Sequence, residues 1–388
     1  MDYQVDVLVI GGGIIGTSVA YYLAKEGIEV LLIEKDGIGD GTSSACDGFL
    51  YLQTKTPGIQ LDLAVESVKM YSTLSSELDY KVYYEKSGGL CLIETVEQLD
   101  FIKTIVEKQK KYGLDVEIID GKEAQNLEPT LSERVIAAVH CPSDASVNPI
   151  YATQGYAQAA KRLGTTILKQ TPATGIKVKD SRIVSVTTPE GEIKANWVVN
   201  ACGVWAPEIG SLVGLDIPIK PRRGVTLVTE PLAPTFKKLL FDARYTAIKH
   251  NPKLAENTND PGLALGVGLT IEQTENGNVL IGNSREFVGF NRHASYNVTK
   301  AIAKYSSRFV PFLKDVHIIR SFAGLRPYTP DGKAILGPVN GVNGFIMAAG
   351  HEGDGVCLAP ITGRLISEYI RTGKTSFPLE MYSLSRFA

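Results

Sequence analysis

The chain has 388 residues, 44% hydrophobic and 21% charged, with a formal net charge of -2. That apolar content suits two lobes, and the lack of a long Lys/Arg block excludes a dedicated nucleic-acid binder, whose phosphate contacts need a basic footprint. With no positively charged leader and no apolar run of roughly 18 to 20 residues, a cytoplasmic protein without a transmembrane segment is expected, peripheral membrane attachment staying open. Cys46, Cys91, Cys141, Cys202 and Cys357 are widely spaced and form no CxxC pair, so reduced thiols and no metal site are expected.

The strand-like Val5 to Ile10 runs into Gly11-Gly12-Gly13-Ile14-Ile15-Gly16 and then the apolar Val19 to Leu23. Strand, glycine turn and helix in this order form a dinucleotide clamp. Gly11 permits the bend, Gly13 lets a pyrophosphate approach the backbone, and Gly16 lets helix and strand pack closely. The helix start, with Ile14 and Ile15 in its first turn, offers N–H groups and the positive dipole end. A second strand, Val30 to Ile33, ends on Glu34, near the spacing of about 20 residues at which a carboxylate takes ribose hydroxyls. Lys35 is assigned either to the adenosine neighbourhood or to solvent. The hydroxyl-rich Gly39-Asp40-Gly41-Thr42-Ser43-Ser44 fits a phosphate and fits a plain turn equally well.

A helical pattern spans residues 61–78, and Gly88 to Ile93 reads as a strand leaving for a second lobe. A helix at 98–112, a strand at 116–119 and a short helix from Gly121 follow. Between about 145 and 203 the nucleotide-type pattern returns, with a helix near 151–163, strands at Ile167-Leu168 and Ile176-Lys177-Val178, a hairpin at Pro189 to Glu192, and Trp197 to Asn200. A discontinuous cofactor domain is implied. Residues 218–320 are richer in alternating strands, including Gly224 to Thr229 and the hairpin Gly268 to Ser284 turning at Asn276-Gly277. The chain then gives a loop over Gly324 to Pro330, a strand at Gly344 to Ala348, a glycine-rich loop over Gly350 to Gly355, and an amphipathic helix at Val356 to Arg371.

These segments resemble, in order, the flavoprotein family of glycine oxidase, sarcosine oxidase and D-amino acid oxidase. The matching residues are Gly11, Gly13, Gly16 and Glu34; Gly41-Thr42-Ser43-Ser44 with Gly48; Asn200-Ala201-Cys202-Gly203-Val204-Trp205; Gly324-Leu325-Arg326-Pro327 with Asp331 and Gly337; and Gly350-His351-Glu352-Gly353-Asp354-Gly355 with Pro360 and Gly363. The resemblance implies an α/β fold, with a Rossmann-like FAD-binding domain (1–85, 145–217 and 321–388) and an interleaved α+β substrate domain on a mixed sheet (86–144 and 218–320). It further implies FAD, a Val178 backbone at the adenine edge, and oxidation of an amino acid or N-alkyl amino acid to its imine.

Ala201 and Gly203 are small where a backbone must pass close to a flat ring or pyrophosphate, and Trp205 stands beside them as a cofactor neighbour or a core residue. The loop Gly350 to Gly355 aims N–H groups and a helix dipole at charge developing on a reduced flavin. His351 and Glu352 are ring contacts or loop residues, the histidine being a catalytic candidate that the scheme does not require as a base. Arg326 is the candidate for the substrate carboxylate, because a guanidinium binds a carboxylate in two places, and a salt bridge to Asp331 is its rival role. Tyr245, His250 and Tyr328 are candidates for the pocket wall, with ordinary packing the alternative.

Two departures matter. Glycine oxidases often place a second arginine after the Gly-His pair, where this chain has Gly353 and Asp354. No cysteine stands at 324–332, where monomeric sarcosine oxidases attach FAD, so noncovalent FAD is expected. The His-Glu-Gly-x-Gly loop is similar to flavin subunits of multi-subunit dehydrogenases acting on hydroxyproline, opines or glycine. The expected function is hydride transfer from an amino acid to FAD. The alternatives are a flavin-bearing subunit passing electrons to a partner, with an oligomer to match, and a nonenzymatic dinucleotide binder.

Overall fold

The computed structural model describes residues 3–250 and 258–388, the side chains of 248–250 excepted, so the His250 side chain lies outside the described residues. Two eight-stranded sheets and a two-stranded ribbon organise the chain. In the first sheet Tyr3–Ile10 lies parallel to Gly191–Asn200 on one side and to Val30–Ile33 on the other. Thr166–Leu168 extends one edge, and Phe345–Ala349 with Ile335–Pro338 extends the other. An antiparallel hairpin, Gly175–Lys179 with Arg182–Thr188, is attached to Gly191–Asn200.

The first strand is buried on both faces, as a parallel strand between layers must be. Val7 and Val9 join the core beneath the helices Ile14–Lys25, Ile59–Glu77, Pro149–Arg162 and Gly355–Thr372. Leu8 and Ile10 point the opposite way, into a second core with Ile183, Val186 and Ile217. Period-two alternation thus serves two apolar layers at once.

The second sheet runs Ile318–Tyr328, Lys220–Pro231, Asn278–Gly282, Thr270–Gln273, Leu239–Asp242, Gly89–Ile93, Ala137–Cys141 and Glu117–Asp120. It is mixed, since Leu239–Asp242 and Gly89–Ile93 pair in parallel among antiparallel neighbours. Along its central strands Val225, Leu227 and Ala323 pack with Val298, Ile302 and Phe309 of the helix Tyr296–Phe309. The alternate residues Gly224, Thr226, Gly324 and Arg326 face the large cleft between the sheets.

The expected loop over Gly324 to Pro330 is instead the end of an eleven-residue strand, Ile318–Tyr328, paired antiparallel with Lys220–Pro231 so that Arg326 lies opposite Arg222. Long-range pairing overrides the local break at Pro327, which sits opposite Pro221 where neither residue donates. The expected domain boundary at 321 therefore falls inside a strand of the second sheet. No helix among the described residues is long and apolar enough to cross a membrane.

Gly16 is the closest contact of the glycine turn, since a Cβ there would lie 1.9 Å from the Gly11 carbonyl oxygen. Gly16→Ala forces helix and strand apart and should cost about 1–3 kcal/mol. The check is denaturant unfolding of the apoprotein, read beside the flavin content of the purified variant.

Candidate active site

The glycine turn is shaped by its neighbours across the sheet. Gly11 has φ 111°, and a Cβ there would stand 2.6 Å from the Ala201 carbonyl oxygen, so only glycine fits both the bend and the contact. Ala201 N–H donates to the Ile10 carbonyl at 2.9 Å, which sets Ala201, Cys202 and Gly203 beside the turn. Glu34 Oε2 accepts from Gly12 N–H at 2.6 Å and Oε1 accepts from Asp36 N–H at 2.9 Å, so its carboxylate is oriented at the turn's edge. Ser43 Oγ accepts from Ile14 N–H at 3.0 Å, and Thr42 Oγ1 donates to the Leu325 carbonyl at 2.6 Å. The 41–44 loop therefore ties the helix start to the second sheet.

One long cleft runs from this turn to the second sheet. Its walls include Gly11, Gly13, Ile14, Ile15, Glu34, Lys35, Gly41, Thr42, Ser43, Ala201, Gly203 and Trp205 at one end. Toward the other end they include Tyr245, Asn283, Arg326, Gly350, His351, Glu352, Gly353 and Gly355. Lys35 Nζ sits 3.8 Å from the Trp205 ring centroid, and Trp205 stacks on Phe290 at 5.9 Å, so both side chains pack on each other at the rim.

Five expected cofactor contacts lie elsewhere. Val178 is 40% exposed on the outer hairpin, and Thr171, Pro172 and Ala173 take its place in the wall. Gly16, Ser44 and Gly48 do not line the cleft. Gly16 and Gly48 are packing glycines, the latter because a Cβ would meet the Val147 carbonyl oxygen at 1.9 Å. Asp354 is held by Lys55 at 2.7 Å, an ion pair only 2% and 6% exposed. Burial pushes the Lys55 ammonium down, but Asp354 together with Cys357 and Tyr245 more than offsets this and holds it above its ordinary value.

Arg326 is the guanidinium of the cleft wall on the second sheet. A Cβ at Gly224 would lie 2.2 Å from Arg326 Nη1, so the bare backbone of the neighbouring strand provides the space for this group. Nη1 donates to the Ser284 carbonyl at 3.0 Å, and Nε lies 4.0 Å from Glu352 Oε1. The rival salt bridge is not made, because Asp331 pairs with Arg386 at 2.8 Å. Glu352 also ion-pairs with the fully buried Arg222, and its Oε2 accepts from Gly353 N–H at 2.6 Å. His351 is buried, with Nε2 at 3.1 Å from Thr362 Oγ1, and burial lowers its pKa to about 4, so the ring is neutral at pH 7.

Several wall residues were not legible as site residues, Asp47, Asn283 and Thr226 among them. Asp47 and Asn283 line the substrate end, and Thr226 stands beside Gly224. Asp47 follows the hydroxyl-rich loop directly, which was the available signal; Asn283 and Thr226 arrive through sheet pairing and carried none. Tyr245 lines the cleft with Arg285 stacked 4.2 Å from its ring centroid, whereas Tyr328 packs beneath Arg222 at 4.7 Å, outside the cleft wall.

The family model for FAD dependent oxidoreductases (DAO) matches residues 6–369. The chain belongs to that family. This FAD-dependent oxidoreductase is 28% identical to glycine oxidase of Geobacillus kaustophilus (strain HTA426), over 100% of this chain and 98% of that protein. It is 26% identical to hydrogen cyanide synthase subunit HcnC of Pseudomonas aeruginosa, over 100% and 97%. The crystal structure of L-proline dehydrogenase from P. horikoshii superposes with a TM-score of 0.89 at 30% identity, over 100% of this chain and 98% of that one. The G. kaustophilus glycine oxidase structure gives the same TM-score at 27% identity, over 99% of each chain. The residues present fit FAD. A Cβ-free turn at Gly11 to Gly13 meets a helix N-terminus suited to a pyrophosphate, Glu34 lines the same end of the cleft where its carboxylate could accept ribose hydroxyls, and the cleft continues to the second sheet as an extended dinucleotide requires.

Two outcomes follow for this FAD-dependent oxidoreductase. Lys55→Met removes the buried ammonium that pairs with Asp354 and should destabilise the fold by about 3–5 kcal/mol, measured by denaturant unfolding. His351 is neutral in the fold and protonates below its ordinary value of 6.5 when unfolded, so its stability contribution is complete above that pH and fades as pH falls toward about 4. His351→Gln should therefore show a shallower loss of thermal midpoint between pH 6.5 and 4 than the parent, and parallel curves would refute this.

Proposed function

We propose that the chain oxidises the Cα–N bond of a small amino acid, an N-alkyl amino acid or a cyclic one to the imine, by hydride transfer to FAD. The observation that carries this reading is Arg326, a permanently charged fork lodged in the cleft wall, its space cleared by Gly224 and its place set by Ser284 and Glu352. A substrate carboxylate on that fork orients Cα over the region between the glycine loop 350–355 and the second sheet. FAD, when bound, supplies the two-electron acceptor for the hydride. The chain holds the carboxylate, keeps the imidazole of His351 neutral in the cleft wall, and closes the substrate end with buried Tyr245 and Asn283, excluding water from the imine until release. Glycine oxidase and L-proline dehydrogenase, by name enzymes of amino acids, support the substrate class.

A second reading, that the chain is the flavin-bearing subunit of a larger dehydrogenase, draws on HcnC, whose name makes it a subunit. It is favoured by the exposed Phe287, Val288 and Phe290, an apolar run near the cleft rim where Phe290 stacks on Trp205. A nonenzymatic dinucleotide binder has no use for Arg326.

Anaerobic mixing of the yellow holoenzyme with glycine, sarcosine, D- and L-amino acids and hydroxyproline isomers tests both readings. Bleaching by one group identifies the substrate, and recolouring in air separates an oxidase, which recolours fast, from a dehydrogenase, which waits for a partner or a dye. Arg326→Ala should keep its FAD while reduction slows about 100-fold or more, the cost of removing one partner of a buried charge pair. Unchanged reduction would remove Arg326 from the carboxylate role.

A further inference from the structure

We propose that Asp47 is the amine-binding residue of this site: its carboxylate receives the α-ammonium of the amino acid whose carboxylate lies on Arg326, and takes the proton that must leave before hydride transfer. This rests on the reading of Arg326 given above and extends it to the other charge of the substrate.

Asp47 and Arg326 line the same end of the cleft, Asp47 from the first lobe and Arg326 from the second sheet. The position of Asp47 is imposed by its neighbour. Gly48 packs against the Val147 carbonyl, and its N–H donates to Glu272 Oε2 at 2.9 Å, which pins the turn. Among the described residues, no lysine, arginine or histidine nitrogen lies within 4.0 Å of the Asp47 carboxylate, so no ion pair occupies it. A carboxylate facing a cleft without a close cation, across from a guanidinium, is complementary to a zwitterion.

The groups around Asp47 decide its charge. Burial raises its pKa, while Arg326, Arg285 and the Asn283 amide lower it. Burial pushes the neighbouring Glu272 up to about 8, and Asp47 adds to the rise. Tyr51 and Cys46, also coupled to Asp47, are held protonated by burial. Of these two carboxylates only Asp47 lines the cleft with Arg326, and its raised basicity suits a proton acceptor there.

The step balances as follows. The ammonium N–H bond breaks, its proton goes to an Asp47 oxygen, and the nitrogen keeps the electron pair. The Cα–H bond then breaks with its electron pair leaving to FAD, and the nitrogen lone pair forms the C=N bond.

The test compares two ligand classes on the holoenzyme. Amino acid affinity is read as the concentration dependence of anaerobic bleaching, and acetate affinity as the shift it causes in the flavin spectrum. Asp47→Asn should weaken the amino acid at least about tenfold at pH 7 and leave acetate within about twofold, since only the ammonium loses its charged acceptor. It should also move the bleaching profile to alkaline pH, because the amine must then lose its proton in solution, and Asp47→Glu should restore part of the neutral activity. Equal effects on acetate and amino acid, or an unmoved pH profile, would overturn the proposal. If neither variant holds FAD, the parent enzyme decides: an acid-side loss of affinity for the amino acid that acetate does not share supports Asp47, and a loss shared by both or seen in neither refutes it. Acetate binding that survives Arg326→Ala unchanged would instead refute the carboxylate site itself, which keeps the two failures apart.

Discussion

Glu352 lies in the loop that follows the parallel strand Phe345–Ala349 of the first sheet and reaches the two arginines that stand opposite each other on the second sheet. Arg222 and Glu352 are both nearly fully buried, so the ion pair between them offsets much of the cost of taking the two charges out of water. The residue carries φ 51° to make this contact, a left-handed backbone that glutamate adopts only when its surroundings hold it there. The arrangement settles two things together: the loop 350–355 is drawn against the second sheet, and the guanidinium of Arg326 is fixed at the cleft wall. On the far side Lys55 holds Asp354 in the same loop, so the chain entering the helix Gly355–Thr372 is anchored by charge from both directions.

The chemistry of the cleft follows from that anchoring. At its outer end the requirements are geometric, and glycine together with a helix start meets them without ionisable groups. At its inner end the requirements are electrostatic, and the fold concentrates Arg326, Arg285, Asp47 and Glu272 there in poor contact with water. Burial and Arg285 both push the Arg326 guanidinium down, and Glu352 opposes them. Low dielectric makes each charge matter more than it would in solution, and it also keeps His351 neutral.

Much of this organisation is readable along the chain wherever the determinant is local. Gly11, Gly13, Glu34, residues 41–43, and Ala201, Cys202, Gly203 and Trp205 fall in the cleft wall because each belongs to a short run whose backbone demands are written in its own residues. The helix Tyr296–Phe309 was equally accessible: Ser295 caps it, and Val298, Ile302, Tyr305 and Phe309 mark one face at helical spacing. It went unnamed because residues 218–320 read as richer in alternating strands. Val178 was placed at the adenine by likeness alone, and the hairpin that carries it turns outward.

The sequence by itself determined the dinucleotide clamp, the two-lobed organisation and the residue type suited to a carboxylate, because glycine spacing, hydrophobic period and guanidinium chemistry are properties of neighbouring residues. Only the tertiary structure decided that Arg326 rides on a strand, that Gly224 vacates its space, that Asp354 belongs to Lys55, and that Asp47 shares the end of the cleft with Arg326. Those outcomes depend on strand register and on the burial of charges brought together from distant segments, and neither quantity exists until the sheets have paired.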